Sequence, residues 1–221
     1  MILDSFLNVW PDLRTALFDT LLMVGITMVF AVLVGTPLGL LLFLTRDGGL
    51  TPRPLVNRIA GAVVNVLRSF PFIILMVLLI PVARIIVGTS IGPRAAALAL
   101  SVSAIPFFAR LVEGNLREVP RGVLDAAVAT GASVPLIVRR VLLVEAFPGL
   151  LGSITITTTG FIAYSAVAGA IGAGGLGDLA IRYGYYRFET DVMVWCVVAM
   201  FLLVQGSQWI GDWLVRRLDR R

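Results

Sequence analysis

The sequence predicts an all-α protein that crosses a membrane several times. Of its 221 residues, 58% are hydrophobic and only 14% are charged, whereas soluble domains average about 25% charged residues. The apolar residues are concentrated in five long runs that contain almost no charge. Within lipid, a helix satisfies its own backbone hydrogen bonds, and a run of about 20 apolar residues is long enough to span the bilayer. We therefore predict a polytopic protein with five transmembrane helices.

The five predicted spans differ in how clearly the sequence bounds them. The first is uninterrupted, the second and third each carry an arginine near one end, the fourth is rich in hydroxyl groups, and the fifth becomes polar towards its end. An apolar stretch at 59–67 precedes the second span, but Arg68 and Pro71 separate the two, so we expect the helix proper to start near Phe70. The alternative gives Arg68 a role in gating or subunit contact. The predicted limits are 21–44, 70–87, 95–112, 149–172 and 192–211.

The distribution of arginines predicts which side of the membrane each loop faces. All 18 basic residues are arginine, and the cytoplasmic side of membrane proteins carries the excess of basic residues. The first loop, the third loop and the C-terminal tail hold eleven arginines, whereas the other side holds four. This predicts an outside N-terminal segment at 1–14 and a cytoplasmic basic tail at 213–221. Because no basic residue precedes Arg14, we expect the first span to be retained rather than cleaved as a signal peptide.

Composition also excludes several classes of function. Without lysine the chain cannot form a P-loop, and without histidine it lacks imidazole bases and histidine metal sites. The single Cys196 cannot form an internal disulfide. We therefore expect no enzyme activity and no metal site. We also expect no nucleic-acid partner, because the arginines are scattered between apolar runs rather than clustered on a soluble face.

The long third loop, at 113–148, predicts a compact helical elbow. Pro120 suits a helix start, Gly131 suits a left-handed C-cap, and Ser133 can cap the next helix with Pro135 in its first turn. An apolar stripe follows at three- to four-residue spacing from Val134. We interpret the elbow as a docking element, with an amphipathic hairpin lying on the lipid surface as the alternative.

Part of this loop resembles a known motif. Asp125, Ala126 and Ala127, followed after three residues by Gly131, resemble the EAA loop of ABC-importer permeases. Asp125 stands where that family has glutamate, and valines replace the isoleucine and proline of the motif's second half. In the family, this loop is the coupling helix that seats in a cleft of the ATPase subunit. The coupling residues that the resemblance implies are Asp125, Ala126, Ala127, Gly131 and Ser133.

The resemblance covers most of the chain. Residues 68–92, 138–150 and 169–185 are similar to the permeases of bacterial methionine importers. This implies a type I ABC importer permease fold over 15–212, in a homodimer within the bacterial inner membrane. It also implies two ABC ATPase subunits that carry ATP and Mg²⁺, and an extracytoplasmic lipoprotein that delivers methionine, in its L- and D-forms. No cofactor is expected on this chain itself.

Four glycines at and just beyond the end of the fourth span fit the GxGxxG spacing of dinucleotide sites: Gly172, Gly174, Gly175 and Gly177. No strand–helix–strand pattern surrounds them, which argues against such a site. Two interpretations remain open. The glycines allow close packing at the end of the span, or they form a hinge at the outer mouth.

The fourth span carries hydroxyl groups along one helical face. Thr155, Thr158, Ile162 and Ser165 share this face by their spacing. They either pack helices together, as small and hydroxyl residues do in membranes, or line a pathway for a zwitterionic substrate.

Three other functions remain as alternatives. An ion-coupled amino-acid carrier usually needs carboxylates inside the membrane, and none lies within the five predicted spans. A permease for another small amino acid would share the fold and the elbow. A passive anchoring subunit is not excluded by composition.

Overall fold

The first helix is much longer than the predicted span. The computed structural model describes residues 2–218, and helix α1 runs over Ile2–Thr45, 44 residues, or about 66 Å at 1.5 Å per residue. Residues predicted as a separate outside segment therefore continue the same helix. Leu13 and Ala16 are buried against residues near the other end of the chain, including Leu179 and Cys196. Phe6 and Val9 pack against the same cluster, which holds the N-terminal part of α1 against the rest of the chain.

The second predicted span is broken. Helix α2 covers Pro54–Ser69, and α3 (Phe72–Leu78) leaves it at a bend of 100°. Pro71 disfavours helical geometry at Phe70, whose backbone is extended. After one more break, α4 covers Ile80–Ile86. The expected helix start near Phe70 thus lies at Phe72, but no continuous helix spans 70–87.

Helix α5, Pro93–Arg117, is the most deeply buried apolar helix of the described residues. It packs along α1, where the backbones come close: a Cβ on Gly39 would lie 2.6 Å from the Ala109 carbonyl oxygen and 2.7 Å from the Cβ of Val112. Alanines on α5 provide the matching flat surface. This pair forms the centre of the core.

The elbow and the last helices complete the described chain. Helix α6 is followed by α7, a π-helical turn and α8, and then by the long α9. A kinked π-helical segment leads into α10, and a third π-helical segment leads towards α11. The ranges are Arg121–Ala129 (α6), Val134–Ile137 (α7), Leu143–Glu145 (α8), Phe147–Ala168 (α9), Gly175–Leu179 (α10) and Thr190–Leu218 (α11). The predicted tail therefore belongs to α11 as far as 218, and 219–221 lie outside the described residues.

The described part of the chain contains four helices that are long and apolar enough to cross a membrane. They are Phe6–Thr45, Pro93–Arg117, Phe147–Ala173 and Thr190–Leu218. A fifth crossing is reached only if α2 and α3 are counted as one bent span. The all-helical prediction is confirmed over residues 2–218, where no strand occurs.

Candidate coupling elbow and membrane face

The predicted corner of the elbow forms at Gly131. Its φ is +75°, in the left-handed region that favours glycine. The Gly131 N–H donates to the Val128 carbonyl (2.9 Å), the Ala132 N–H donates to the Ala127 carbonyl (3.3 Å), and the Thr130 hydroxyl donates to the same Ala127 oxygen (2.8 Å). A Cβ on Gly131 would meet nothing within 4 Å. Backbone conformation alone therefore demands glycine here.

The predicted coupling residues lie on one exposed element. Asp125, Ala126, Gly131 and Ser133 are exposed, and Ala127 is half-buried against the core. No residue of α6 is fully buried. The elbow thus presents its EAA-like sequence outwards, as a docking element must. The coupling role of these residues stays a prediction.

Two details of the elbow differ from the sequence analysis. Ser133 occupies the N-cap position of α7, but its side chain makes no capping hydrogen bond, so its backbone geometry alone starts the helix. The apolar stripe faces inwards: Ile137 and Leu142 are fully buried in the main core, with Val138 and Val141 packed beside them. The stripe is therefore neither the docking surface nor available to lipid. The exposed apolar residues of the elbow are Val123, Val128, Leu136 and Val144.

The four candidate pathway residues of α9 separate into two pairs. Thr155 and Thr158 line a groove of about 220 Å³ between α9 and α11, whereas Ile162 and Ser165 are buried. The hydroxyls of Thr155, Thr158 and Ser165 donate to carbonyls one turn back in their own helix, at 3.1, 2.8 and 2.7 Å. Their oxygens remain able to accept a hydrogen bond. Thr155 also lies directly against Gly211 of α11, so this residue packs two helices and borders the groove.

The candidate hinge glycines form a tight turn between α9 and α10. Gly172, Gly174 and Gly175 have φ values of +92°, +78° and +80°, and a Cβ on Gly177 would collide with the backbone of Ala166. These four residues therefore need glycine for conformation or close approach. No strand precedes them in the described chain, so the strand–helix–strand setting of a dinucleotide site is missing there. Their role as a hinge stays a prediction.

This turn is tied to α1. The buried Leu176 N–H donates to the Thr20 hydroxyl at 2.9 Å, and the Asp178 carboxylate pairs with Arg182 at 2.8 Å. An adjacent cleft is lined by Asp12, Asp19, Asp178 and Arg182, among others. The residues that the structure describes contain no group of three or more His, Cys, Asp or Glu placed to hold a metal ion.

A known family of proteins matches most of this chain, including the elbow region. A family model described as "Binding-protein-dependent transport system inner membrane component" matches residues 35–221, well over half of the chain. The chain belongs to this family of transport components. The elbow, α5 and the whole of α9–α11 lie within the matched region.

Individual members of the family are similar over most of the chain. The probable D-methionine transport system permease protein MetI of Vibrio cholerae is 50% identical over 209 residues, covering 95% of this chain and 93% of that protein. The methionine import system permease protein MetP of Bacillus subtilis is 45% identical over 181 residues, covering 82% of each. The similarity therefore extends well beyond the elbow motif.

A solved structure extends the similarity to three dimensions. A chain of the inward-facing MetNI methionine ABC transporter, in its CY5 native crystal form, superposes with a TM-score of 0.94 at 44% identity, covering 96% of this chain and 99% of that chain. The predicted type I ABC importer permease fold is thereby confirmed.

Sequence reasoning missed a polar network at the elbow end of α5. The predicted third span, 95–112, ends between Arg110 and Glu113, but α5 continues to Arg117 and buries Glu113 at 4% exposure. Asn115 lies in the same region and donates to the Ser153 hydroxyl of α9 at 2.7 Å. The three- and four-residue spacing of Arg110, Glu113 and Arg117 was a readable signal for ion pairs along one helix.

The structure also weakens one reason for rejecting an ion-coupled carrier. Asp19 lies within α1 and Glu113 within α5, so carboxylates do occur inside membrane-length helices. Glu113 is neutralised by two arginines. Asp19 lines the cleft beside the glycine turn. Family membership, rather than an absence of carboxylates, therefore argues against an ion-coupled carrier.

Proposed function

We propose that this chain is the membrane-spanning permease subunit of an ATP-driven importer of methionine in the bacterial cytoplasmic membrane. The similarity to proteins named for methionine transport, at 50% and 45% identity over most of the chain, carries the choice of substrate. The exposed elbow supports ATP as the energy source, because a chain without a P-loop lysine cannot hydrolyse ATP itself and needs a surface on which an ATPase partner can dock.

The proposed assembly contains two copies of this chain, two ABC ATPase subunits with ATP and Mg²⁺, and an extracytoplasmic methionine-binding lipoprotein. The similar solved chain comes from a methionine ABC transporter, which supports the ATPase partnership. Helix α11 is mostly uncovered within the chain: in its most apolar stretch, only 6% of the residues are buried. Such a surface suits lipid or a second copy. The permease itself then carries out no chemistry on the substrate or on ATP.

The mechanism follows from alternating access. ATP binding would close the two ATPases, and the elbow would transmit that motion to α5 and the helices packed on it. The pathway would then open outwards to receive methionine, and hydrolysis with product release would return it to the inward-facing state. Thr155 and Thr158, beside the groove, offer oxygens for a zwitterion and space for a thioether chain.

The test is reconstitution of the complex that copurifies with this chain into liposomes. We expect uptake of labelled L- and D-methionine only with ATP on the ATPase side and with the binding protein present. Uptake driven by an ion gradient without ATP would support the carrier instead. ATP-driven uptake of a different small amino acid, with no methionine uptake, would refute the substrate while retaining the class of transporter.

A further inference from the structure

A buried carboxylate marks the elbow end of α5. The Glu113 side chain is 6% exposed. Its Oε2 accepts from Arg110 Nη1 at 2.7 Å, and its Oε1 accepts from Arg117 Nη2. A buried carboxylate is costly unless it is paired and hydrogen-bonded, and here both oxygens are satisfied. The arginines are thereby fixed in orientation.

Arg110 extends this pair to a second helix. Its other terminal nitrogen, Nη2, donates to the Asn65 side-chain oxygen at 2.9 Å and to the Gly61 carbonyl at 3.3 Å, both in α2. The planar guanidinium can hold Glu113 with one nitrogen and α2 with the other. We call Asn65, Gly61, Arg110 and Glu113 the α2–α5 clamp.

The clamp matters because α2 is otherwise weakly held. Val64 is the only fully buried residue that α2 contributes, and exposed apolar residues such as Leu55 and Ile59 cover its outer face. Its other polar attachment lies two turns earlier, where Asn57 Nδ2 donates to the Leu42 carbonyl (2.7 Å) and to the Thr45 hydroxyl (3.1 Å) at the end of α1. Polar contacts therefore set the position of α2.

The surroundings of the clamp reinforce the carboxylate's role. Arg46, just beyond α1, lies near the same charges: burial lowers its pKa, and Arg117 and Arg121 lower it further, while Glu113 acts in the opposite direction. One buried acid thus offsets several cations where α1, α5 and the elbow meet.

The clamp joins the helix that leads into the elbow, α5, to the helix that leads into the broken span, α2. From Glu113, α5 continues to Arg117, and after Pro120 the chain enters α6 of the elbow. On the other side, α2 leads through the 100° bend into α3 and α4. Any displacement of α5 that leaves the clamp closed must carry α2 and the broken span with it.

We propose that Arg110, oriented by Glu113, is a positioning residue that makes α2–α4 follow the elbow during transport. This inference rests on the proposed function for its driving force, but its geometry concerns only this chain. Arg110 acts through α2 and touches no substrate.

The test uses the exposed partner, Asn65, because its replacement removes little packing. In the reconstituted complex, Asn65→Ala is expected to reduce the methionine imported per ATP hydrolysed roughly tenfold, the low end of the effect of losing one hydrogen bond to a charged group, with basal ATP hydrolysis unchanged. Asn65→Asp keeps an acceptor for Arg110 and should restore the ratio. Ser69→Ala is the control: it removes an exposed polar group from α2 whose hydroxyl donates to a carbonyl of the same helix, and it is expected to leave the ratio near the wild-type value.

A second measurement does not depend on transport. In a Cys196→Ser background, spin labels at Ser69→Cys on α2 and Arg140→Cys on the elbow occupy exposed positions outside the predicted coupling residues. We expect the distance between them to be the same with and without ATP, and its distribution to broaden, both without and with ATP, when Asn65→Ala is added. A distance that changes with ATP in the unaltered clamp would overturn the proposal.

The outcomes of the two experiments separate the two hypotheses. A wild-type complex without ATP-driven uptake would refute the proposed function, while the effect of Asn65→Ala on the label distance without ATP would still decide the clamp. A normal import ratio in Asn65→Ala, or an equal loss in Ser69→Ala, would refute the clamp while wild-type uptake upheld the function.

Discussion

Replacing Gly131 tests whether the shape of the elbow carries the coupling. The residue has a φ of +75° and open space around it, so a new side chain meets no steric obstacle and the only penalty is the left-handed backbone. That penalty is about 1–2 kcal/mol for an ordinary residue. It is smaller for asparagine, which tolerates this region, and larger for a β-branched residue. At 1.4 kcal/mol per factor of ten, about 1–2 kcal/mol corresponds to a roughly 5- to 30-fold shift away from the native corner.

The assay is ATP-dependent methionine uptake by the reconstituted complex, measured together with ATP hydrolysis. We expect the import ratio to fall in the order Gly131→Asn, Gly131→Ala, Gly131→Val. The matched control is Gly122, in α6, where a Cβ also meets nothing within 4 Å but φ is not positive. Gly122→Ala should leave uptake unchanged. Wild-type coupling by Gly131→Val would refute the idea that the left-handed corner positions the elbow.

Two further substitutions test the glycine turn. Gly177→Ala places a Cβ against the α9 backbone and should lower stability by about 1–3 kcal/mol, seen as a lower melting temperature in detergent, whereas Gly160→Ala has open space and should not. An unchanged melting temperature for Gly177→Ala would contradict the close packing. Thr20→Val removes the acceptor for the buried Leu176 N–H and should cost about 1–3 kcal/mol; faster hydrogen exchange at that amide would identify the cause, and unaltered exchange would argue against it.

Local geometry was the part of the structure that sequence predicted best. Pro120 and Gly131 locate the start and end of α6 because each has a backbone preference that few other residues share. The same reasoning places a break at Pro71. The size of the bend there depends on how α2 packs on α1 and α5, which no local preference specifies.

The direction of the apolar stripe could not be read from its periodicity. Spacing places Ile137 and Leu142 on one face, but only the packed chain shows that this face turns inwards. The prediction that the third loop starts at Glu113, which lies within α5, is wrong for a related reason. A charge near the end of an apolar run predicts a helix boundary, unless a partner such as Arg110 offsets the cost of burying it. Contacts between distant segments decide both cases.

The close approach of α1 to α5 constrains how the whole subunit can rearrange. With the Gly39 backbone pressed onto Ala109 and Val112, the two helices have no room to slide past each other, since packed cores are not continuously deformable. They form a rigid reference frame within the subunit. The distance between a label on α1 and a label on α5 should therefore stay constant through a transport cycle. The alternating access proposed above would then arise from rotation of this frame against the neighbouring helices.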